Sequence, residues 1–485
     1  RRRMEAYNDS SIDVLKGLEP IKLRPAMYVG EPSTYHGVFQ IFKEVVDNSI
    51  DEWNQGECNA IDVVIDIDNS TFLVVDNGRG MPQKSLVTIL TNLHAGGKFN
   101  KKSGIYGATV GSFGIGVSAT NALSSQFVCY SKRKKIVCAK FKNGGEVVHK
   151  EKQVSFIEND PLLEYTMVNK WKRGTVICFQ PDYKILSYGK VPINRIGVWL
   201  AKLPMLCKGL AFNLTVLSKE SRSKIFQTTF YSEKGLKSFV KDGDFYAVHK
   251  RPKEAFDCFE GWFTLRGVED GPLDAYLNTI QMDEGSHVNG WWKAVRKALT
   301  LYTKKAMPSI KSIRDALSGT IHIRSLNVNY IGQTKERVDD PKIEEEVFES
   351  TLHVLEQFFK KKSAFARKIL STAYAIQSIE EKQKTELKAV RSIEKHSKQG
   401  KLPIDLVLST TRKASERELF IIEGESAGGT AKMARYEEYQ EILPLGGKPL
   451  NVEKSSMPSV LSSEIKNIVL AVGDELPQKG RVGHV

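Results

Sequence analysis

"EVVDNSIDEW" occupies residues 44–53. Read as a helix at about 100° per residue, it puts Glu44, Asn48 and Asp51 in one narrow arc and Val46, Ile50 and Trp53 on the opposite side. The polar side carries Glu44, Asp47, Asn48 and Asp51, with no Lys or Arg among them. Two readings are open. An ordinary core helix can carry a solvated acidic face. Alternatively, a carboxylate and an amide carbonyl one turn apart suit a hard cation and a water molecule.

Around this helix, residues from about 35 to 235 mix helical periodicity with short β-rich runs. The helical stretches are GVFQIFKEVVDNSIDEW (37–53) and GVSATNALSSQF (116–127); the β-rich ones are AIDVVIDI (60–67), TFLVVDN (71–77), TVICFQP (175–181) and FNLTVL (212–217). This pattern predicts helices packed on a mixed or antiparallel sheet. A second α+β segment is expected from about 236 to 340, with strands near GWFTLRG (261–267) and TIHIRSLNV (320–328) and a helix near WWKAVRKALTLYTKKA (291–306). Residues 341–398 read as long charged helix, with opposite charges at helical spacing such as Glu380 and Lys384, stopped by Gly400 and Pro403. A new α/β unit starts near 404 with the strand RELFIIEGE (417–425).

The totals set bounds. The 485 residues suffice for two to four domains, and 41% hydrophobic with 26% charged residues is ordinary for soluble globular protein. The net charge of +14 favours a polyanionic partner, nucleic acid first. Six scattered cysteines with no C-x-x-C pair indicate neither a zinc site nor a disulfide framework, so a reducing, cytoplasmic setting is expected. No apolar run approaches the roughly 18 residues that a membrane span needs, and RRRMEAYNDSS has no signal-peptide core. The chain begins at Arg1, as a processed or excised chain would.

Three further stretches carry chemistry. FLVVDNGRGMP (72–82) is a strand running into a turn with glycines at 78 and 80, so Asp76 could offer its carboxylate to an exocyclic amine or simply cap the turn. NLHAGGKF (92–99) supplies Lys98 after a glycine pair. In GATVGSFGIGVSATNALS (107–124), Gly111, Gly114 and Gly116 precede a helical pattern whose free N–H groups suit phosphate. The order G-x-x-G-x-G is not that of a dinucleotide site, and neither GGKF nor GGKP is a P-loop.

E-x-x-x-N on a helix, D-x-G-x-G-x-P after a strand and G-x-x-G-x-G opening a helix together resemble the Bergerat (GHKL) ATP-binding fold of gyrase B-type topoisomerases, Hsp90, MutL and histidine kinases. The wording is closest to the ATPase subunit of bacterial-type type IIA topoisomerases. SSIDVLKGLEPIKLRPAMYVG (10–30), VVDNGRGMP (74–82), LHAGGKF (93–99), YIGQTKERV (330–338) and ELFIIEGESAGGTAKMARYEEYQEILPLGGKPLNVEKS (418–455) carry the resemblance over nearly the whole chain. It implies an α+β multidomain architecture. A Bergerat ATPase domain with an N-terminal dimerisation arm would occupy 1–235, a ribosomal S5-like transducer with a long helix 236–403, and the start of a TOPRIM domain 404–485.

The family roles fall on matching positions. Glu44 would be the general base and Asn48 the ligand of the Mg2+ that bridges the ATP phosphates, with Asp51 and Glu52 in support. A Lys or Arg on that face would pair with Glu44 and blunt it, a physical reason for acids and an amide alone. Asp76 would take the adenine amino group, with Gly80, Pro82 and Thr175 beside it and Arg79 and Arg133 on the rim. Gly111, Phe113, Gly114, Ile115 and Gly116 would cradle the phosphates, joined by Lys98. Gln333 and Lys335 of GQTK would reach the γ-phosphate and couple nucleotide state to interdomain angle. Tyr7 of YNDSSI would touch the neighbouring subunit's nucleotide, and Ile12 its apolar surface, in an ATP-closed homodimer.

Two departures stand out. The family's phosphate loop usually reads G-G-L-H-G-V-G, whereas residues 110–116 read VGSFGIG, with Phe113 in place of the His. EGSHVNGWWKAV (284–295) brings a tryptophan pair whose ordinary reading is core or interface packing. EGESAGG (423–429) resembles the first acidic motif of TOPRIM, making Glu423 a metal ligand or acid/base group and placing Lys448 of PLGGKPLNVEK beside DNA. The Asp-x-Asp half is missing, since SSEIKNIVLAVG leads only to DELPQKGRVGHV, where Asp474 and Glu475 lack the strand context. ATP hydrolysis without DNA cleavage is therefore expected of the chain alone, with the nucleophilic tyrosine on a gyrase A or topoisomerase IV A-like breakage-reunion partner. The basic runs 132–135 and 360–362 fit DNA in the clamp or plain solvated surface.

The resulting expectation is an ATP-dependent type II DNA topoisomerase subunit, an isomerase of the nucleoid. The alternatives are an ATP-operated clamp of the MutL or Hsp90 type, against which EGESAGG and PLGGKPLNVEK argue, and a non-hydrolysing structural subunit, against which Glu44 and Asn48 argue.

Overall fold

A computed structural model describes residues 15–95, 114–155, 157, 161–218, 226–250, 258–325, 328, 330–331, 337–398, 402–403, 405–446, 463–472, 482 and 484. Tyr7, Ile12, Lys98, Gly111, Phe113, Gln333, Lys335 and Lys448 lie outside them. The chain divides into two compact units, Arg1–Thr372 and Ala373–Val485.

In the first unit, two short helices, α1 (Glu19–Leu23) and α2 (Ala26–Val29), lead into α3 (Tyr35–Asn54). Thr34 caps α3, its hydroxyl accepting from His36 N. The strands β1 (Ala60–Asp66), β2 (Thr71–Asp76), β3 (Ser124–Lys132), β4 (Ile136–Lys142), β5 (Glu146–Val154), β6 (Gly174–Pro181), β7 (Ala211–Leu217) and β8 (Phe226–Phe230) form one sheet in the order β5-β4-β3-β6-β2-β1-β7-β8. All neighbours run antiparallel except β1 and β7.

Alternation along the strands divides two cores. Ile61, Val63, Ile65, Phe72 and Val74 meet α3 and the helices α4 (Leu86–Thr91), α5 (Gly116–Ala122) and α6 (Ile193–Leu206), while Val64, Leu73, Val75 and Val176 pack under Leu162, Leu163 and Val168. Asp76 follows Phe72 and Val74 at the same parity. It therefore points to the helix side, and this places it against α3. The stretch GVSATNALSSQF is helical only to Ala122, because Ser124 already pairs with Pro181 of β6.

The second sheet, β9 (Phe245–Lys250), β10 (Cys258–Leu265), β11 (Asp274–Leu277), β12 (Ile280–Gln281) and β13 (Leu317–Arg324), has the order β12-β11-β13-β10-β9. Helix α7 (Ser286–Leu299) starts and ends earlier than expected. Its Trp291 is wholly buried, with ring centroids 5.4 Å from Phe259, 5.9 Å from Phe263 and 6.1 Å from Phe245, so the tryptophan pair is core. After the short helix α8 (Ile310–Asp315) and the two-residue strands β14 (Tyr330–Ile331) and β15 (Arg337–Val338), helix α9 (Pro341–Lys361) packs on α7. Contact is close because Gly290 has no Cβ; one there would overlap the Glu344 carbonyl.

The expected continuous helix over 341–398 is broken at Lys362 (φ −122°, ψ 51°), where α9 gives way to α10 (Ser363–Lys398). Seven residues of straight helix advance about 10 Å. The break instead lets Phe358 and Phe365 stack edge to face at 5.9 Å and brings Phe365 to 6.1 Å from Phe263. Aromatic burial outweighs the helix-favouring lysines.

In the second unit, β16 (Glu418–Glu423), α11 (Glu425–Ala434) and β17 (Gln440–Leu445) make a βαβ unit with parallel strands. Leu419, Leu443 and Leu445 share a core with Ala471 and Val472 of the helix Ser463–Val472.

Candidate functional site

Helix α3 is buried on both of its sides. Glu44 is 9% exposed, Asp47 1% and Asp51 0%, so the acidic arc is not a solvated face. Its cover comes from far along the chain. Gly116 lies against Glu44, and burial together with the charges of Asp47 and Asp51 pushes the Tyr330 hydroxyl's pKa up. Tyr330 stands two residues before Gly332, the first residue of the GQTK stretch.

Burying carboxylates requires partners. Lys43 pairs with Asp47 one turn away. Glu52 receives a bidentate grip from Arg79, Nε to Oε2 at 2.8 Å and Nη2 to Oε1 at 2.9 Å, and also accepts from the Arg79 backbone N–H at 3.1 Å. Glu44 Oε1 accepts from Gln40 Nε2 at 2.8 Å, and the Asn48 amide Nδ2 donates to the Glu44 carbonyl at 2.7 Å. The side of Glu44 toward Oε2 lies against Gly116, where a Cβ would overlap that oxygen. Glycine at 116 thus admits a carboxylate to the start of α5, which enters through Gly114 (φ +63°) and the buried Ile115.

Asp76 sits at the end of β2, 5% exposed, opposite Thr175 in the β2–β6 register. Its Oδ1 accepts from Gly78 N at 2.9 Å and its Oδ2 from Ser49 Oγ at 3.0 Å. Burial nevertheless dominates and raises its pKa to about 6, with the Glu52 charge adding to the rise. The following turn is tight: a Cβ on Gly78 would meet Asp76 Oδ1 at 2.9 Å, and one on Gly80 (φ +75°) would meet Lys132 O at 2.9 Å. Arg133 Nη2 holds the Gly80 carbonyl at 2.7 Å, while Pro82 is exposed.

The expected residues Glu44, Asn48, Asp51, Asp76, Arg79, Gly80, Gly114, Ile115, Gly116 and Thr175 therefore gather around one helix and the strand end it covers. Two more belong with them. Gln40 stands four residues before Glu44, a spacing visible in the sequence; Ser49 reaches Asp76 through a register that no local pattern reveals. In the second unit, Glu423 is exposed at the end of β16, followed by Gly424 at φ +82°. Among the described residues no group of three or more His, Cys, Asp or Glu could hold a metal ion, and no helix is long and apolar enough to cross a membrane.

Residues 35–175 match the family model of histidine kinase-, DNA gyrase B- and HSP90-like ATPases, and residues 254–389 match that of DNA gyrase B. The chain is 30% identical to the DNA gyrase B subunit of Helicobacter pylori (strain J99), over 97% of its own length and 61% of the relative's. It is 31% identical to the DNA topoisomerase 4 B subunit of Mycoplasma capricolum, covering 96% and 73% of the two chains, and 32% identical to the DNA gyrase B subunit of Thermotoga maritima, covering 97% and 75%. The chain thus spans 61% of the length of the Helicobacter proteins. Similar folds occur in the 43K ATPase domain of Thermus thermophilus gyrase B in complex with an aminocoumarin (TM-score 0.56, 23% identity, 76% of this chain and 97% of that one) and in the topoisomerase IV ATP-binding domain of Francisella tularensis (TM-score 0.59, 23%, 76% and 98%). The chain belongs to the family of DNA gyrase and DNA topoisomerase 4 B subunits.

Proposed function

We propose that this chain is the ATP-binding and ATP-hydrolysing part of a type IIA DNA topoisomerase. In this reading residues 1–235 are the ATPase domain, 236–403 the transducer and 404–485 the start of a TOPRIM domain. ATP closes a homodimeric clamp on DNA, and a breakage-reunion partner makes the double-strand break through which a second duplex passes. The βαβ unit containing Glu423 supports this over a clamp that lacks topoisomerase activity.

The observation that carries the proposal is the seating of Glu44: one carboxylate oxygen held by Gln40, the other side open to the start of α5 only because residue 116 is glycine. Glu44 then orients and deprotonates the attacking water. Asp76, fixed by Ser49 of the same helix, accepts the adenine amine, so α3 keeps base recognition and chemistry in register. Gly78 and Gly80 let the turn after Asp76 close against Glu52 and the backbone of Lys132 and Gly174, which fixes the carboxylate at the strand end. Asn48, held against the Glu44 carbonyl, would offer its side-chain amide oxygen to a magnesium ion, a cation that commonly takes one or two protein oxygens plus phosphate. Mg2+ there would neutralise charge on the phosphate oxygens.

Tyr330, near enough to Asp47 and Asp51 to feel their charge, supports a role for Gln333 and Lys335 at the γ-phosphate, because β14 and β15 flank that stretch. Lys448 and the net charge of +14 support DNA contact. In Glu44→Gln, ATP turnover is expected to fall about 10²-fold or more while ATP binding persists. Near-normal turnover would remove Glu44 as the base.

A further inference from the structure

The second sheet meets α3 and α6 through contacts of two kinds. Tyr276 of β11 is buried in the same apolar core as Phe39 and Phe42 of α3 and Leu203 and Leu206 of α6, and Ile280 of β12 packs against that core. Apolar burial of this kind holds the elements together without fixing a direction. Polar contacts supply the direction, and they meet at the turn between β11 and β12.

Asn278 occupies that turn at φ +57°, a left-handed conformation that asparagine tolerates better than most side chains. It is 2% exposed and ties three stretches of chain together. Its backbone N–H donates to the Ile323 carbonyl at 2.7 Å, its Oδ1 accepts from Ser325 N at 3.0 Å, and its Nδ2 donates to the Tyr330 hydroxyl at 3.2 Å. The end of β13 and the start of β14 are thus held by one residue. Tyr330 is itself buried, and its pKa is raised by that burial and by the charges of Asp47 and Asp51 on α3, which places the hydroxyl within their electrostatic reach. Because its oxygen accepts from Asn278, the phenol keeps its own proton to donate. Arg324, one residue before Ser325, makes a second approach to α3, 6.0 Å over the Trp53 ring near the helix end. The GQTK stretch begins two residues after Tyr330.

We propose that Asn278 and Tyr330 are positioning residues for hydrolysis: Asn278 fixes the Tyr330 hydroxyl toward the acidic arc of α3, and this link sets the stretch that begins at Gly332 relative to the helix that carries Glu44. The proposal rests on the reading of Glu44 as the base and of Lys335 at the γ-phosphate. The link lies away from Asp76, so it governs the rate of the chemical step and leaves recognition of the base alone.

The test is steady-state ATP hydrolysis and calorimetric titration with ADP, using the full chain as wild type, Tyr330→Phe and Asn278→Gly, with Glu44→Ala and Lys335→Ala as controls. Phenylalanine keeps the ring in its packing, and glycine keeps the positive φ of the turn. Each of the two variants is expected to lower kcat about tenfold while KM for ATP and the affinity for ADP stay within about twofold of the wild type. On a Lys335→Ala background, Tyr330→Phe should lower kcat by no more than about a further twofold, because the link acts through that stretch. Wild-type kcat in Tyr330→Phe, a parallel loss of ADP affinity, or an undiminished effect of Tyr330→Phe on top of Lys335→Ala would each overturn the proposal while the reading of Glu44 stands. Undiminished turnover in Glu44→Ala or Lys335→Ala alone would overturn the underlying reading, and the proposal with it.

Discussion

Asp76→Asn separates the electrostatic account of the site from its packing. The carboxylate is buried, and its pKa rises from the ordinary 3.8 to about 6. A folded-state pKa above the unfolded one means that the native state holds the proton more tightly. This contribution to stability is fully present below about pH 4 and is lost as pH rises through about 6. The shift of about 2 units corresponds to about 3 kcal/mol at about 1.4 kcal/mol per unit. The asparagine variant has no such titration, so other groups cancel in the difference between the two proteins. All six tryptophans precede residue 373, so their fluorescence in urea follows the unit that contains Asp76. The unfolding free energy of the wild type minus that of Asp76→Asn should fall by about 2.4 kcal/mol between pH 4 and pH 7.5, the remainder lying below pH 4. A difference that stays flat over this range would show that burial is not what governs Asp76, and the argument from the strand end would fail. Loss of ATP binding in the same variant, at a pH where it is folded, should accompany the stability result.

Gly116→Ala places a methyl group where the Glu44 carboxylate lies. Displacement of a catalytic group by about 1 Å costs on the order of 10² in rate, so turnover should collapse while urea stability changes little; unchanged turnover would mean that Glu44 and Gly116 do not share the site. Trp291→Ala removes the centre of the aromatic cluster with Phe245, Phe259 and Phe263 and should destabilise the first unit by about 3–5 kcal/mol in urea. A loss under about 1 kcal/mol would contradict its place as core.

Local pattern made much of this molecule readable. The 3.6-residue period of α3 and the alternation of β1 and β2 are local properties, and they set both sheet faces and the direction of Asp76. The burial of the acidic arc was not readable from that arc, because the residues against it, Gly116 at Glu44 and Tyr330 within reach of the Asp47 and Asp51 charges, lie far away in sequence. The break at Lys362 was hidden for a related reason. Lys360, Lys361 and Lys362 favour helix locally, and only the partners of Phe358 and Phe365 on the second sheet turn the chain. At the site, Glu44 and Asn48 stood out through their spacing and Gln40 extends the same row, whereas Ser49 became legible only once the register brought it to Asp76.

The most direct test of the central claim is steady-state ATP hydrolysis measured against protein concentration, with and without linear DNA, with Glu44→Ala as control. The account expects turnover that rises faster than linearly with protein, is stimulated by DNA and vanishes in the variant. Turnover proportional to protein, indifferent to DNA and retained in Glu44→Ala would contradict it.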